Sequence, residues 1–235
     1  MNTIFELYDT HGNPIYNPVA NASIFTLSAE LTKKVRVALL DKPVPELRLY
    51  GVVNEEMASY VRESIMFLES KDSPPAAKVL ITSPGGSVIA GLEIHSLLSF
   101  YKGSTTAFVS GYAYSAAAQL ILQGCTARGA DKYSHMMCHF AHTLVYVGEH
   151  DLGGKRRMTR IKEQLKMAND QAIDIIVDRT GQSEVSVRKF LSKGLVQNVQ
   201  QYKDFGLIDN YYSMKTKVVT DRAGIVHHLG NIVEE

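Results

Sequence analysis

The chain of 235 residues carries 25 Lys plus Arg against 24 Asp plus Glu, a formal net charge of +1 at pH 7, and the charges are scattered rather than blocked, so neither a nucleic-acid surface nor an anionic-membrane surface is expected. With 45% hydrophobic residues the chain is long enough to bury one sizeable core, and no apolar run approaches the roughly 18 residues of a membrane span. Two cysteines, Cys125 and Cys138, are too few for a disulfide framework; with no basic start followed by a long apolar core at the N-terminus, the expected compartment is the cytoplasm.

Residues 1–30 hold the turn-forming runs His11-Gly12-Asn13-Pro14 and Asn17-Pro18, which interrupt any period, so an irregular arm is expected there and a single domain over residues 31–235. VRVALL (35–40) and ELRLYGVV (46–53) predict strands. The next segment spaces Met57, Val61, Ile65 and Leu68 as one helical face, with Asn54 as N-cap. After the Pro pair at 74–75 comes a strand, KVLIT (78–82), then Pro84-Gly85-Gly86, then a helix with Val88, Leu92, His95 and Leu98 on one stripe. The pattern repeats: a strand TTAFV (105–109), a turn SGYAY (110–114) and an Ala-rich helix from Ser115 to Leu122. Such alternation predicts an α/β fold with a parallel sheet, in which reactive groups sit at the carboxyl ends of strands. A long helix follows from Arg157 to Thr180, with Met158, Ile161, Leu165, Ala172 and Ile176 near one face and Gly181 as its stop. A short helix, a glycine and a last strand account for residues 199–219.

The chemistry concentrates in the two strand-turn-helix junctions. Two glycines between a strand and a helix free backbone N–H groups to hold a negative oxygen. Neither a P-loop Lys-Ser/Thr nor a G-x-G-x-x-G fingerprint is present, so the oxyanion of a tetrahedral acyl intermediate is a better fit than phosphate. Ser115, opening the second helix with small residues at 116–118, suits a nucleophile with neighbouring N–H donors; serine is equally a favoured helix cap. A serine nucleophile needs a base, and of eight histidines His139 and His142 follow the next strand-like stretch. Periodicity does not choose between them.

ITSPGGSV (81–88), GYAYSAAA (111–118), MMCH (136–139) and the pair TGQS (180–183) and FGLID (205–209), in this order and spacing, resemble the Clp protease proteolytic subunit (ClpP) family over about Leu47 to Asp209. The resemblance implies a ClpP/crotonase-type spiral of ββα units with the long helix as a handle between stacked rings. It also implies Ser115 as nucleophile, His139 as base, and the N–H groups of Gly85 and Ala116 as oxyanion hole. It further implies homo-oligomeric or mixed rings, heptameric in the family, fed with unfolded polypeptide by a Clp-type AAA+ unfoldase, and no cofactor. The third triad position, Asp in the family, falls on Gly194, and residues 188–200 contain no carboxylate. Asn198 is the candidate substitute, orienting His139 through its amide oxygen as in a Cys-His-Asn site. Alternatives are a catalytically weak or silent ring subunit, a phage-type maturation protease, and a crotonase-type acyl-CoA enzyme, for which Glu93 is the one acid near the first turn. Asp131 and Asp178 are candidates to replace the missing acid in space. No metal site is expected, since the histidines near 135–150 lack acids or cysteines at ligand spacing.

Overall fold

The computed structural model describes residues 39–40, 42–143, 155–220 and 226–234. The expected arm lies outside them, as does most of VRVALL, whose last two residues, Leu39 and Leu40, are helical rather than extended. From Lys42 onward the chain forms one compact unit built on strands β1 (Glu46–Tyr50), β2 (Ala77–Ser83), β3 (Thr105–Tyr114), β4 (Ala127–Asp131), β5 (His135–Met137), β6 (Val196–Asn198), β7 (Asn210–Thr220) and β8 (Val226–Glu234). The sheet order is β1-β2-β3-β4-β7-β8, with β5 on β3 and β6 on β5. Every pair from β1 to β4, the pair β4–β7 and the pair β3–β5 are parallel, and β5–β6 and β7–β8 are antiparallel. This is the mixed α/β, parallel-dominated sheet of the ClpP-type fold.

Helices α1 (Glu55–Glu69) and α2 (Val88–Phe100) are the crossovers. In α1 the expected face is the buried one, Met57, Val61, Ile65 and Leu68, and Asn54 Oδ1 accepts the Met57 N–H at 2.9 Å, meeting one of the four unpaired donors of a helix start. In α2 the stripe is shifted: Ala90, Gly91, Ile94 and Leu98 are buried, while Val88, Leu92 and His95 are only half-buried. The reason is close approach. A Cβ at Gly91 would lie 2.9 Å from Leu120 and 3.3 Å from Ala116 Cβ, so packing against the Ser115 segment, and not the breadth of the apolar stripe, sets which side faces in. His95 then bonds Leu120 O through Nδ1 at 3.1 Å.

The expected turn SGYAY is instead the second half of β3. The strand bends at Gly111 (φ +83°), beyond a register shift against β2 between Ile81 and Ser83, and changes neighbour: Thr106–Val109 pair with β4, Tyr112–Tyr114 with β5. Buried Ser134 bridges the split, donating to Val109 O at 3.1 Å and accepting from Gly111 N at 3.0 Å. Beyond the sheet, α3 (Lys155–Thr180), α4 (Glu184–Lys193) and α5 (Val199–Phe205) complete the unit. Helix α3 buries Ala172, Ile173 and Ile176 toward its C-terminal half, whereas Met158 and Met167 are exposed. No helix among the described residues is long and apolar enough to cross a membrane.

Candidate active site

Strand β3 ends at Tyr114 and delivers Ser115, the one non-glycine residue with positive φ (+53°) among the described residues. A left-handed backbone costs such a residue about 1–2 kcal/mol, and surrounding bonds hold it: Ser115 N–H donates to Met137 O at 2.7 Å, and Ser115 O accepts from Ala118 N at 3.0 Å and Gln119 N at 2.9 Å. The helix expected from Ser115 to Leu122 is a π turn, Ala117–Ile121, followed by a 3-10 turn, Leu122–Gly124; wide turns of this kind concentrate at functional sites.

The turn after β2 presses on this serine. Gly85 has φ +86°, and a Cβ there would sit 2.6 Å from Ser115 Cβ, 2.6 Å from Tyr114 O and 3.1 Å from Ala116 N. Only glycine allows that contact. Val53 N donates to Gly85 O and Ser87 N to Val53 O, both at 2.8 Å, a parallel bridge centred on Gly86 that directs Gly86's own N–H to the side away from Val53. Gly85 N–H donates to Ser83 Oγ at 3.1 Å. Of the two glycine amides, Gly85's is engaged within the turn and Gly86's points away from Val53; sequence reasoning weighs only the first, although the adjacent pair is the signal to weigh both.

His139 lies two residues past β5, the strand paired with the end of β3. Its Nδ1 is 2.6 Å from Phe140 O. A carbonyl only accepts, so Nδ1 carries the hydrogen and Nε2 keeps its lone pair. The loop is fixed at two further points: His139 N–H donates to Gln119 Oε1 at 3.2 Å and Ala141 N–H to Asn169 Oδ1, on α3, at 2.6 Å. Ser115 and His139 line one cavity of about 30 Å³, shared with Gln119 and Asn169, without a hydrogen bond between them. His142, whose ring centroid is 5.0 Å from that of His139, is exposed and faces a larger groove of about 440 Å³ between α2 and α3, which includes Ile89, Leu92, Ile161 and Leu165. Val88, Ala141 and Ala168 border both spaces, so the groove leads to Ser115.

The other candidates lie elsewhere. Gly194 caps α4 at φ +55°, and a Cβ there would be 3.8 Å from His139 Cβ, so the position beside the histidine is filled by a hydrogen. Asn198 stands opposite His135 in the β5–β6 register. Its Oδ1 accepts from Gln201 N at 3.1 Å while Gln201 Oε1 accepts from Asn198 N at 3.2 Å, a capping box that commits the amide to α5. Asp131 Oδ1 accepts from Tyr133 N at 2.9 Å in the turn after β4, and Asp178 borders a separate cavity with His95 and Arg179. Glu93 is paired with Arg62. Burial pushes the thiols of Cys125 and Cys138 up to about 12, so Cys138, although next to His139, is not a nucleophile at neutral pH. Among the described residues no three His, Cys, Asp or Glu side chains converge as a metal site would need.

The FGLID segment supports the site from behind. Asp209 accepts from Arg128 N–H at 2.7 Å and from Arg128 Nη2 at 2.5 Å. Arg128 Nη1 donates to Gln123 Oε1 at 2.8 Å, and Gln123 Nε2 donates to Ala118 O at 2.9 Å and Leu207 O at 3.2 Å. A buried cation is thus tied to the turn that starts at Ser115.

Residues 29–215 match the Clp protease family. Among similar proteins is one named ATP-dependent Clp protease proteolytic subunit, from Ligilactobacillus salivarius (strain UCC118), 31% identical over 173 residues, which cover 72% of this chain and 83% of that protein.

Proposed function

This chain belongs to the Clp protease family, and from that premise we propose that it is a serine peptidase subunit that cleaves unfolded polypeptide inside a chamber of stacked rings. The observation that carries the proposal is Ser115 itself, held at φ +53° at the end of β3 on the wall of the cavity that His139 also lines. Ser115 Oγ attacks the scissile carbonyl and His139 takes its proton through Nε2, the nitrogen left with a lone pair by the Nδ1 bond to Phe140 O. The tetrahedral oxyanion is received by Ala116 N–H and by an amide of the Pro-Gly-Gly turn. Gly85 serves if it releases Ser83 Oγ; Gly86, whose N–H points away from Val53, is the alternative donor. His139 then returns the proton to the leaving amine, and water repeats the sequence on the acyl-serine. The groove between α2 and α3 is open and largely apolar, which suits an extended chain selected by access to the chamber.

The relative's name speaks of ATP dependence. We extend that to this chain as a subunit of heptameric rings, uniform or mixed, served in the cytoplasm by a Clp-type AAA+ unfoldase. A second reading, a catalytically silent ring subunit working beside active ones, is favoured by one observation: Gly194 offers no carboxylate at the position next to His139, a loss that can cost about 10⁴ in rate where the remaining geometry is kept. Labelling by a fluorophosphonate probe separates the two. Assembled wild type should label, with labelling abolished in Ser115→Ala and His139→Ala; only an Asn198→Ala variant that fails while its fold and assembly stay intact would give that residue the third role, since its amide caps α5. A well-assembled wild type that takes no label would refute the peptidase reading.

A further inference from the structure

Resting on that reading of the site, we infer that Asn169 is the positioning residue for the base, acting through the peptide bond between Phe140 and Ala141. In a serine site with glycine at the third position and no carboxylate among the described residues lining it, something must fix the tautomer and the plane of the imidazole. Here the acceptor on Nδ1 is a main-chain carbonyl, Phe140 O at 2.6 Å. The same peptide unit presents its N–H, that of Ala141, to Asn169 Oδ1 at 2.6 Å. A planar trans peptide points its N–H and C=O in opposite directions, so anchoring the N–H on Asn169 aims the carbonyl back at His139. A donor and an acceptor in series also polarise one another, which strengthens the bond to Nδ1.

The other end of the loop is anchored as well. Gln119, buried and one turn beyond Ser115, accepts the His139 N–H at 3.2 Å, so the residue before the hinge cannot swing to follow the ring. The amides of Gln119 and Asn169 thus hold His139 from two elements, the nucleophile's own turn and α3, and both border the Ser115 cavity. The carbonyl stands where the absent acid would accept, and Gly194 on the neighbouring turn adds only a hydrogen there.

The test compares Asn169→Ala, which removes the acceptor, with Asn169→Asp, which keeps it, using hydrolysis of a short fluorogenic peptide by the assembled protein. Asn169→Ala should lose 10- to 100-fold in kcat with KM within twofold of wild type, and Asn169→Asp should stay within about threefold in both. Because α3 could also affect assembly, Gln119→Leu, at the anchor outside α3, should give the same kcat-selective loss. Crystal structures of wild type and Asn169→Ala supply a readout independent of activity: the Phe140 carbonyl should turn away from Nδ1 in the variant. A kcat within twofold of wild type in Asn169→Ala, an equal loss in Asn169→Asp, or a carbonyl that keeps its place would overturn the assignment. If wild type neither labels nor turns over, the peptidase reading fails separately, and the position of that carbonyl still decides this one.

Discussion

Replacing Gly85 by alanine tests whether the Pro-Gly-Gly turn shapes the nucleophile. The added Cβ would meet Ser115 Cβ and Tyr114 O at 2.6 Å, whereas carbon atoms settle at about 3.5–4.0 Å, so the two segments must part by roughly 1 Å. Overpacking of that kind costs about 1–3 kcal/mol, and the left-handed φ of +86° adds about 1 kcal/mol for a residue with a side chain. A loss of about 2–4 kcal/mol corresponds to a fall in Tm of roughly 5–15 °C for a domain of this size. The functional effect should be larger than the stability effect, because the displaced atoms belong to Ser115 and to the amide of Ala116; a misplacement of about 1 Å can cost roughly 10²-fold in rate. Gly51 is the internal control. It has φ +90°, but a Cβ added there would meet nothing within 4 Å, so Gly51→Ala should lose about 1 kcal/mol by thermal melt and keep its activity. Peptide turnover by the two assembled variants is the assay. A Gly85→Ala enzyme with kcat within threefold of Gly51→Ala would refute the argument that this contact sets the serine.

A Gly194→Asp variant should raise kcat by roughly tenfold, since aspartate tolerates a left-handed backbone and its Cβ would stand 3.8 Å from that of His139; an unchanged pH-optimum kcat would show that the position cannot serve the base. Asp209→Ala leaves the buried Arg128 guanidinium without its carboxylate and should cost about 1.5–3 kcal/mol in denaturant midpoint analysis, with no change expected if Arg128 finds a new partner. Burial holds Cys125 and Cys138 protonated up to about 12, against an ordinary value of 9.0. The folded state therefore binds protons that the unfolded chain releases, and the associated stability is present below pH 9 and declines as pH rises beyond it. Iodoacetamide at pH 8 should leave both thiols unmodified until the protein unfolds, and rapid alkylation of the native form would contradict their burial.

The sequence makes some of this fold legible because the signals are local. Helix α1 announces itself by an Asn cap and a clean 3.6-residue face, and the long helix by its period and Gly181, with a start at Lys155 rather than Arg157. Where tertiary contacts decide, local reading fails. Gly111 reads as a turn, yet pairing of Tyr112–Tyr114 with β5 makes the strand resume beyond its bend. The α2 stripe misleads because a glycine, invisible to a hydrophobic pattern, is the point of closest approach. Ser115 and His139 stand out through short motifs at strand ends. Gln119 and Asn169 do not: each reads as an ordinary polar helical residue, and its role is set by a bond to main chain 20 and 28 residues distant. Strand β8 goes unread as well, since the expected last strand within residues 199–219 corresponds to β7 and the chain pairs one more strand against it.

The tie between Arg128 and Asp209 spans 81 residues of sequence, and it has a meaning for the order in which the molecule is made. Until residue 209 has left the ribosome, the turn bearing Ser115 has a cation beneath it with no carboxylate to neutralise it, and Gln123 lacks the Leu207 carbonyl that helps to pin it. On the proposed reading of the site, its assembly therefore waits until the chain as far as Asp209 has been made, well after Ser115 and Arg128 have emerged.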